Sequence, residues 1–101
     1  MRFIRKVTIN NQYTKYQIPL LKSTYLIKWF PKSKTNIHSH RGKDCDFIPV
    51  WGDLKEVRYK NQIGKTKKIK QFHLSHINDE KGKHQVFNCD NYIKWSIHRY
   101  Y

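Results

Sequence analysis

His38-Ser39-His40, then Cys45, and far downstream His84 within Gly82-Lys83-His84-Gln85-Val86-Phe87-Asn88, are the residues whose types and spacing could do chemistry. Two histidines one residue apart point the same way from a β-strand, because side chains alternate faces with a period of two. A third imidazole arriving from a distant strand would close one face of a metal site. Nitrogen donors of this kind suit Fe, Zn, Cu or Ni and disfavour Mg or Ca. A second polar set ends the chain. Ser96, His98 and Tyr100 take the even positions of a run whose odd positions, Ile93, Trp95 and Ile97, are apolar. Polar side chains grouped on such a strand either face solvent or line a pocket, and in a barrel a few convergent polar groups mark the ligand cavity.

The elements that must carry these residues are short β-rich runs separated by polar breaks. Tyr25–Phe30 reads as a strand ended by Pro31, and residues 35–40 carry the first histidine pair. Gly42 and Lys43 bend the chain into a strand over Cys45–Trp51. Gly52-Asp53 signals a tight hairpin, with Leu54–Tyr59 returning antiparallel. Asn61-Gln62-Ile63-Gly64 turns again, Lys65–Lys70 lies at a turn, and Ile69–Ile77, Lys83–Asn88 and Tyr92–Tyr100 are the remaining strands. No segment holds a period near 3.6. Many short strands in a small domain argue for an all-β sandwich or small barrel.

At 101 residues, with 38% hydrophobic and 15% aromatic residues, the chain is expected to be a single domain, 1–101, folding around one core. No apolar run reaches membrane-spanning length, and the start, Met1 to Lys6, lacks a signal-peptide apolar stretch. A cytoplasmic location, no membrane partner and a monomer are the expectations. Cys45 and Cys89, the two cysteines, should be free thiols in a reducing compartment. The net charge of +14 would attract nucleic acid, but it is mostly lysine spread along the whole chain. Dispersed lysine argues for solubility and loose contact rather than for specific nucleic-acid binding.

Asn36-Ile37-His38-Ser39-His40, Asp44-Cys45 and Val50-Trp51-Gly52-Asp53-Leu54-Lys55-Glu56 resemble the first conserved block of the cysteine dioxygenases, in the cupin superfamily. Residues 77–88 around His84 resemble the second block. Ser96-Ile97-His98-Arg99-Tyr100 resembles the Ser-x-His-x-Tyr that ends that family's barrel. The three blocks come in the family's order over about the last two-thirds of the chain. Upstream, Tyr13-Thr14-Lys15 resembles a Tyr-Thr-Arg segment.

The resemblance implies a cupin-type β-barrel (jelly roll) in which His38, His40 and His84 hold Fe(II), acting as a thiol dioxygenase. The substrates would be L-cysteine, or a related small thiol, and O2. It implies that Tyr100, oriented by His98 and Ser96, faces the substrate, and that Cys45 can form a thioether with Tyr100. Asp44 stands near the place where other cupins carry a carboxylate ligand, which leaves a two-histidine, one-carboxylate site as an alternative. The family's carboxylate-gripping Arg is matched by Lys15, with Tyr13 beside it; lysine keeps the charge and loses the planar fork. Arg41 and Arg99 are other cations near the site in sequence. Two rival functions stay open: a metal-binding cupin without turnover, serving as a binding or regulatory module, and a basic barrel that binds nucleic acid.

Overall fold

The computed structural model describes residues 5–38, 42–60, 63–78 and 82–101. Ten strands run through them: β1 Arg5–Ile9, β2 Tyr13–Gln17, β3 Thr24–Trp29, β4 Ser33–Lys34, β5 Cys45–Trp51, β6 Leu54–Lys60, β7 Ile63–Ile69, β8 Ser75–Ile77, β9 Lys83–Asn88 and β10 Lys94–Tyr100. They form two antiparallel sheets, one in the order β1-β2-β3-β10-β5-β8 and the other β4-β9-β6-β7. The sheets face each other as an open jelly roll. Alternation builds the interior. Ile27 and Trp29 of β3, Phe47 of β5, Leu54 of β6, Ile69 of β7 and Val86 of β9 meet in one core, with Tyr13 packed against it. Among the described residues no helix is long and apolar enough to cross a membrane.

The expected strands over 45–51 and 83–88 stand as read, and three local expectations are corrected. Gly52-Asp53 does not close a hairpin. β5 pairs with β10 and β8, whereas β6 pairs with β7 and β9, so these two residues carry the chain from one sheet to the other. Gly52 makes the corner at φ +84, with the Lys94 side chain packed close against it. The turn expected at Lys65–Lys70 is mostly strand β7, paired along its length with β6. The single strand expected over Ile69–Ile77 is two. Phe72, at φ 66, donates its N–H to the Pro49 carbonyl at 2.7 Å and breaks the run, so β7 and β8 join different sheets. The N-terminal β1 and β2, unassigned from sequence, complete the six-stranded sheet and bring Tyr13 and Lys15 alongside β3.

β10 decides which way the site faces. Ser96 and His98 are buried at 0% and 4% exposure, while Ile93 and Ile97 are exposed at 38% and 37%. The polar face of this strand therefore lines the interior and the apolar face looks outward, beside Trp51 at 59% exposure. Trp29 is fully buried in the core. Trp51 is an outer-surface residue.

Gly82 sits just before β9 at φ +100, where an added Cβ would lie 2.2 Å from the Tyr59 carbonyl oxygen. Left-handed backbone and a backbone clash act together there. Gly82→Ala is expected to lower stability by about 2 kcal/mol or more, read as a fall in denaturation midpoint. An unchanged midpoint would mean that the entry to β9 is not fixed by this approach.

Candidate metal centre and its cavity

His38 and His84 come from segments 46 positions apart and meet at one wall of the interior. His84 is carried by β9. His38 is not in a regular strand; it forms an isolated bridge, exchanging N–H···O bonds of 3.0 and 2.9 Å with His84. The strand expected to carry His38 is thus replaced by an isolated bridge that docks His38 directly onto the strand of His84. His40 and Arg41 lie outside the described residues.

The two rings meet with Nε2 of His38 3.0 Å from Nε2 of His84. Each ring is held from behind. Nδ1 of His38 is 2.8 Å from the Asn36 carbonyl, and Nδ1 of His84 is 2.7 Å from Oε2 of Glu56. A carbonyl and a carboxylate can only accept, so both Nδ1 atoms carry hydrogen and both Nε2 atoms of neutral rings present a lone pair. Two lone pairs at this distance repel unless a cation, a proton or a metal ion, stands between them. Nitrogens each about 2.1 Å from one metal ion and at a right angle are about 3.0 Å apart, so the pair fits two ligands of one divalent ion. Burial, aided by the nearby Lys15 charge, lowers the His38 pKa and so favours the neutral ring, the form that ligates. Among the described residues no group of three His, Cys, Asp or Glu side chains could hold a metal, and the third expected ligand, His40, is not among them. Asp44 turns elsewhere, with Oδ2 3.9 Å from Nε2 of His76.

Glu56 is the residue that sequence reasoning missed. It is fully buried on the inward face of β6 and takes hydrogen bonds from Arg58 Nε and Ser75 Oγ at 3.0 Å each, besides that of His84. Burial alone would raise its pKa. The His84 hydrogen bond, the Arg58 charge and the Ser75 hydrogen bond outweigh burial and hold it below the ordinary carboxylate range. An ionised carboxylate behind an imidazole fixes the ring's tautomer and raises its basicity. The signal in the sequence was an acid and an arginine at positions 56 and 58, in step with core residue Leu54.

In front of the histidines lies a cavity of about 450 Å³, whose wall includes His38, His84, His98, Tyr100, Lys15 and Tyr13. Ser96 and Cys45 lie behind that wall. Ser96 Oγ receives the Trp29 indole hydrogen at 2.8 Å and is 2.7 Å from Nε2 of His98, whose ring stacks on Phe47 at 4.9 Å and 8°. His98 is thereby held in one orientation. Cys45 is directly opposite Tyr100 in the β5–β10 register. Burial, reinforced by Asp46, pushes the Cys45 thiol up to about 12, so it stays protonated. Burial likewise raises the Tyr100 phenol, so that it too keeps its proton.

Lys15 Nζ is 3.4 Å from the Tyr100 hydroxyl and lies over the Tyr25 and Tyr100 rings, 4.4 and 4.6 Å from their centroids. Desolvation lowers its pKa. Tyr13 packs its ring on Trp29 at 5.4 Å and forms part of the same wall. Arg99 points away from the cavity, exposed on the outer face with its guanidinium over Tyr101. Cys89 is an exposed free thiol remote from the site.

No protein-family model matches the chain, and no curated protein matches it in sequence. Solved structures match it in fold. The Drosophila melanogaster CENP-C cupin domain aligns with a TM-score of 0.78 at 8% identity, over 97% of this chain and 75% of that one. The capsular polysaccharide assembling protein CapF of Staphylococcus aureus aligns at 0.81 and 14%, over 99% of this chain and 28% of that one. An oxalate oxidase in complex with glycolate aligns at 0.66 and 12%, over 76% and 40%. One of these is an enzyme, and the CENP-C domain is also seen bound to CAL1, so the shared scaffold serves both catalysis and binding. Two facing antiparallel sheets around a histidine-walled cavity, together with these likenesses, give this chain the cupin fold.

Proposed function

We propose that the chain is an Fe(II)-dependent thiol dioxygenase that adds both atoms of O2 to the sulfur of L-cysteine or a related small thiol, giving the sulfinic acid. The observation that carries this reading is the pair of imidazole nitrogens 3.0 Å apart, opening onto a cavity that a lysine and a half-buried phenol also line. His38, His84 and His40 are the proposed ligands. Iron held by three neutral imidazoles would supply the redox chemistry that lets O2 combine with a thiolate. The protein's own groups do the rest. Lys15 takes the substrate carboxylate, and Tyr100, protonated throughout the working pH range, donates a hydrogen bond to the anionic reacting groups. His98, fixed by Ser96 and Phe47, orients Tyr100. Cys45, opposite Tyr100 in register, would form a thioether to that ring, the thiol and ring hydrogens passing to O2 as hydrogen peroxide.

The test is anaerobic loading with Fe(II), followed by oxygen uptake with L-cysteine and mass analysis for the sulfinate. Bound iron without sulfinate would leave a metal-binding module and overturn the enzymatic reading. Lys15→Met is expected to raise the KM for cysteine about tenfold or more, as the loss of a charge-assisted hydrogen bond implies, with kcat little changed. Because burial lowers the Lys15 pKa, its grip on a carboxylate weakens as pH rises through a value below that of ordinary lysine. The KM of the unsubstituted protein should climb there, and that of Lys15→Arg should not. A flat profile in both chains would remove Lys15 from substrate binding.

A further inference from the structure

Lysines that look scattered in the sequence fall into a row on the four-stranded sheet. Lys34 of β4 is directly opposite Phe87 of β9, Phe87 opposite Lys55 of β6, and Lys55 opposite Lys68 of β7. Directly opposed residues share a face. The burial of Leu54 and Glu56, and of Val86 and Asn88, makes this the outer one. Neighbouring strands are about 4.8 Å apart, so the row crosses the whole sheet in about 14 Å. A second row repeats the chemistry, with Lys83 opposite Tyr59. Lys55 Nζ lies 5.9 Å from the centroid of the Phe87 ring. Among the described residues, this outer face carries four lysines, two aromatic rings and no carboxylate on its strands; Asp53, in the corner beyond, pairs with Lys68 at 3.3 Å.

Solubility and edge protection explain only part of this. Lysine on an edge strand discourages pairing with other chains, which accounts for Lys34 and Lys68, since β4 and β7 are the edges. Lys55 and Lys83 stand on the two inner strands, where no edge needs blunting. Lys55 and Lys68 are also like charges placed directly opposite, an arrangement that costs stability. The other sheet's outer face differs in its make-up, with Trp95, Ile97 and Arg99 of β10, Lys28 of β3 over the Trp95 ring, and a carboxylate, Asp46, opposite Arg99. On the four-stranded sheet the cations stand in a row without a carboxylate on the strands among the described residues, with ring faces set between them.

We infer that the outer face of the four-stranded sheet binds single-stranded nucleic acid, with Lys34, Lys55, Lys68 and Lys83 on phosphates and Phe87 and Tyr59 offered to bases. Cations that follow a phosphate backbone, interleaved with aromatic platforms, are what sequence-tolerant single-strand binding requires. The face is separate from the cavity and does not depend on the oxygenase reading.

Binding of fluorescent oligothymidylate is followed by anisotropy across a salt series. The chain with Lys34, Lys55 and Lys68 all changed to Gln is compared with a charge-matched control in which the exposed Lys6, Lys22 and Lys43 are changed to Gln. The row variant should bind at least tenfold more weakly, with the slope of log K against log salt reduced by about 2; the control should stay within about twofold of the parent. Phe87→Leu should weaken oligothymidylate binding about tenfold and leave binding to heparin, which has charges but no bases, unchanged. Equal weakening by the two triple variants reduces the effect to net charge and overturns the inference. So does oligothymidylate affinity that survives loss of the ring, or tighter binding to anionic phospholipid vesicles than to the oligonucleotide.

Discussion

The His84→Ala chain is expected to lose iron binding and oxygen uptake together, the largest single effect anticipated for this protein. His84 supplies one of the two nitrogens that face each other at 3.0 Å, and its own backbone bridges to His38. Alanine keeps that bridge and removes the donor, so the loss should exceed the roughly 10–100-fold typical when only a supporting hydrogen bond to a ligand is deleted. A second consequence separates ligand from scaffold. Glu56 is left buried facing an empty space, with Arg58 and Ser75 as its remaining partners, so stability should fall as well. Isothermal titration with Fe(II) under argon reads the first effect and thermal denaturation of the metal-free protein the second. Unchanged iron affinity in a folded His84→Ala chain would exclude His84 as a ligand.

How far the sequence carried the argument depends on the range over which each property is set. The Cys45–Trp51 and Lys83–Asn88 strands are legible because alternation is local and their turns are punctuated. The Ser96, His98 and Tyr100 grouping was legible for the same reason. That the polar rather than the apolar side of β10 faces inward was not, because it depends on which sheet lies opposite. Gly52-Asp53 misled in a similar way. A two-residue connection with a glycine looks the same whether it closes a hairpin or turns a corner between sheets, and only the distant pairings with β10 and β9 decide. The candidate site was legible as residue types: His38, His84, Tyr100 and Lys15 meet in one cavity. Its supporting layer was not. Glu56 sits 28 positions from His84, and nothing in the spacing links them until β6 pairs with β9. The lysine row stayed hidden for the same reason, being a property of register across four strands.

Glu56→Gln is the substitution that tests that supporting layer with the least change of shape. Glutamine fills the same volume but has one acceptor oxygen, and its nitrogen can only donate. The carboxylate receives Arg58 Nε on one oxygen and His84 Nδ1 on the other. Whichever way the amide is turned, its N–H₂ therefore meets a donor, the guanidinium or the imidazole. If it meets His84, the ring escapes by moving its hydrogen to Nε2, which abolishes the lone pair facing His38. Iron affinity should fall about 10–100-fold, and stability by about 3–5 kcal/mol, as for removing one member of a buried charge pair. The pH dependence gives an independent reading. The folded-state pKa of Glu56 is depressed, so its contribution is fully present above the unfolded value and disappears as pH falls through the folded one. The gap in melting temperature between the parent and Glu56→Gln should hold at neutral pH and narrow in acid, below the ordinary carboxylate range. A variant that melts early but binds iron like the parent would make Glu56 a purely structural anchor. Loss of both, with the gap closing in acid, assigns it to holding His84 in the tautomer that ligates.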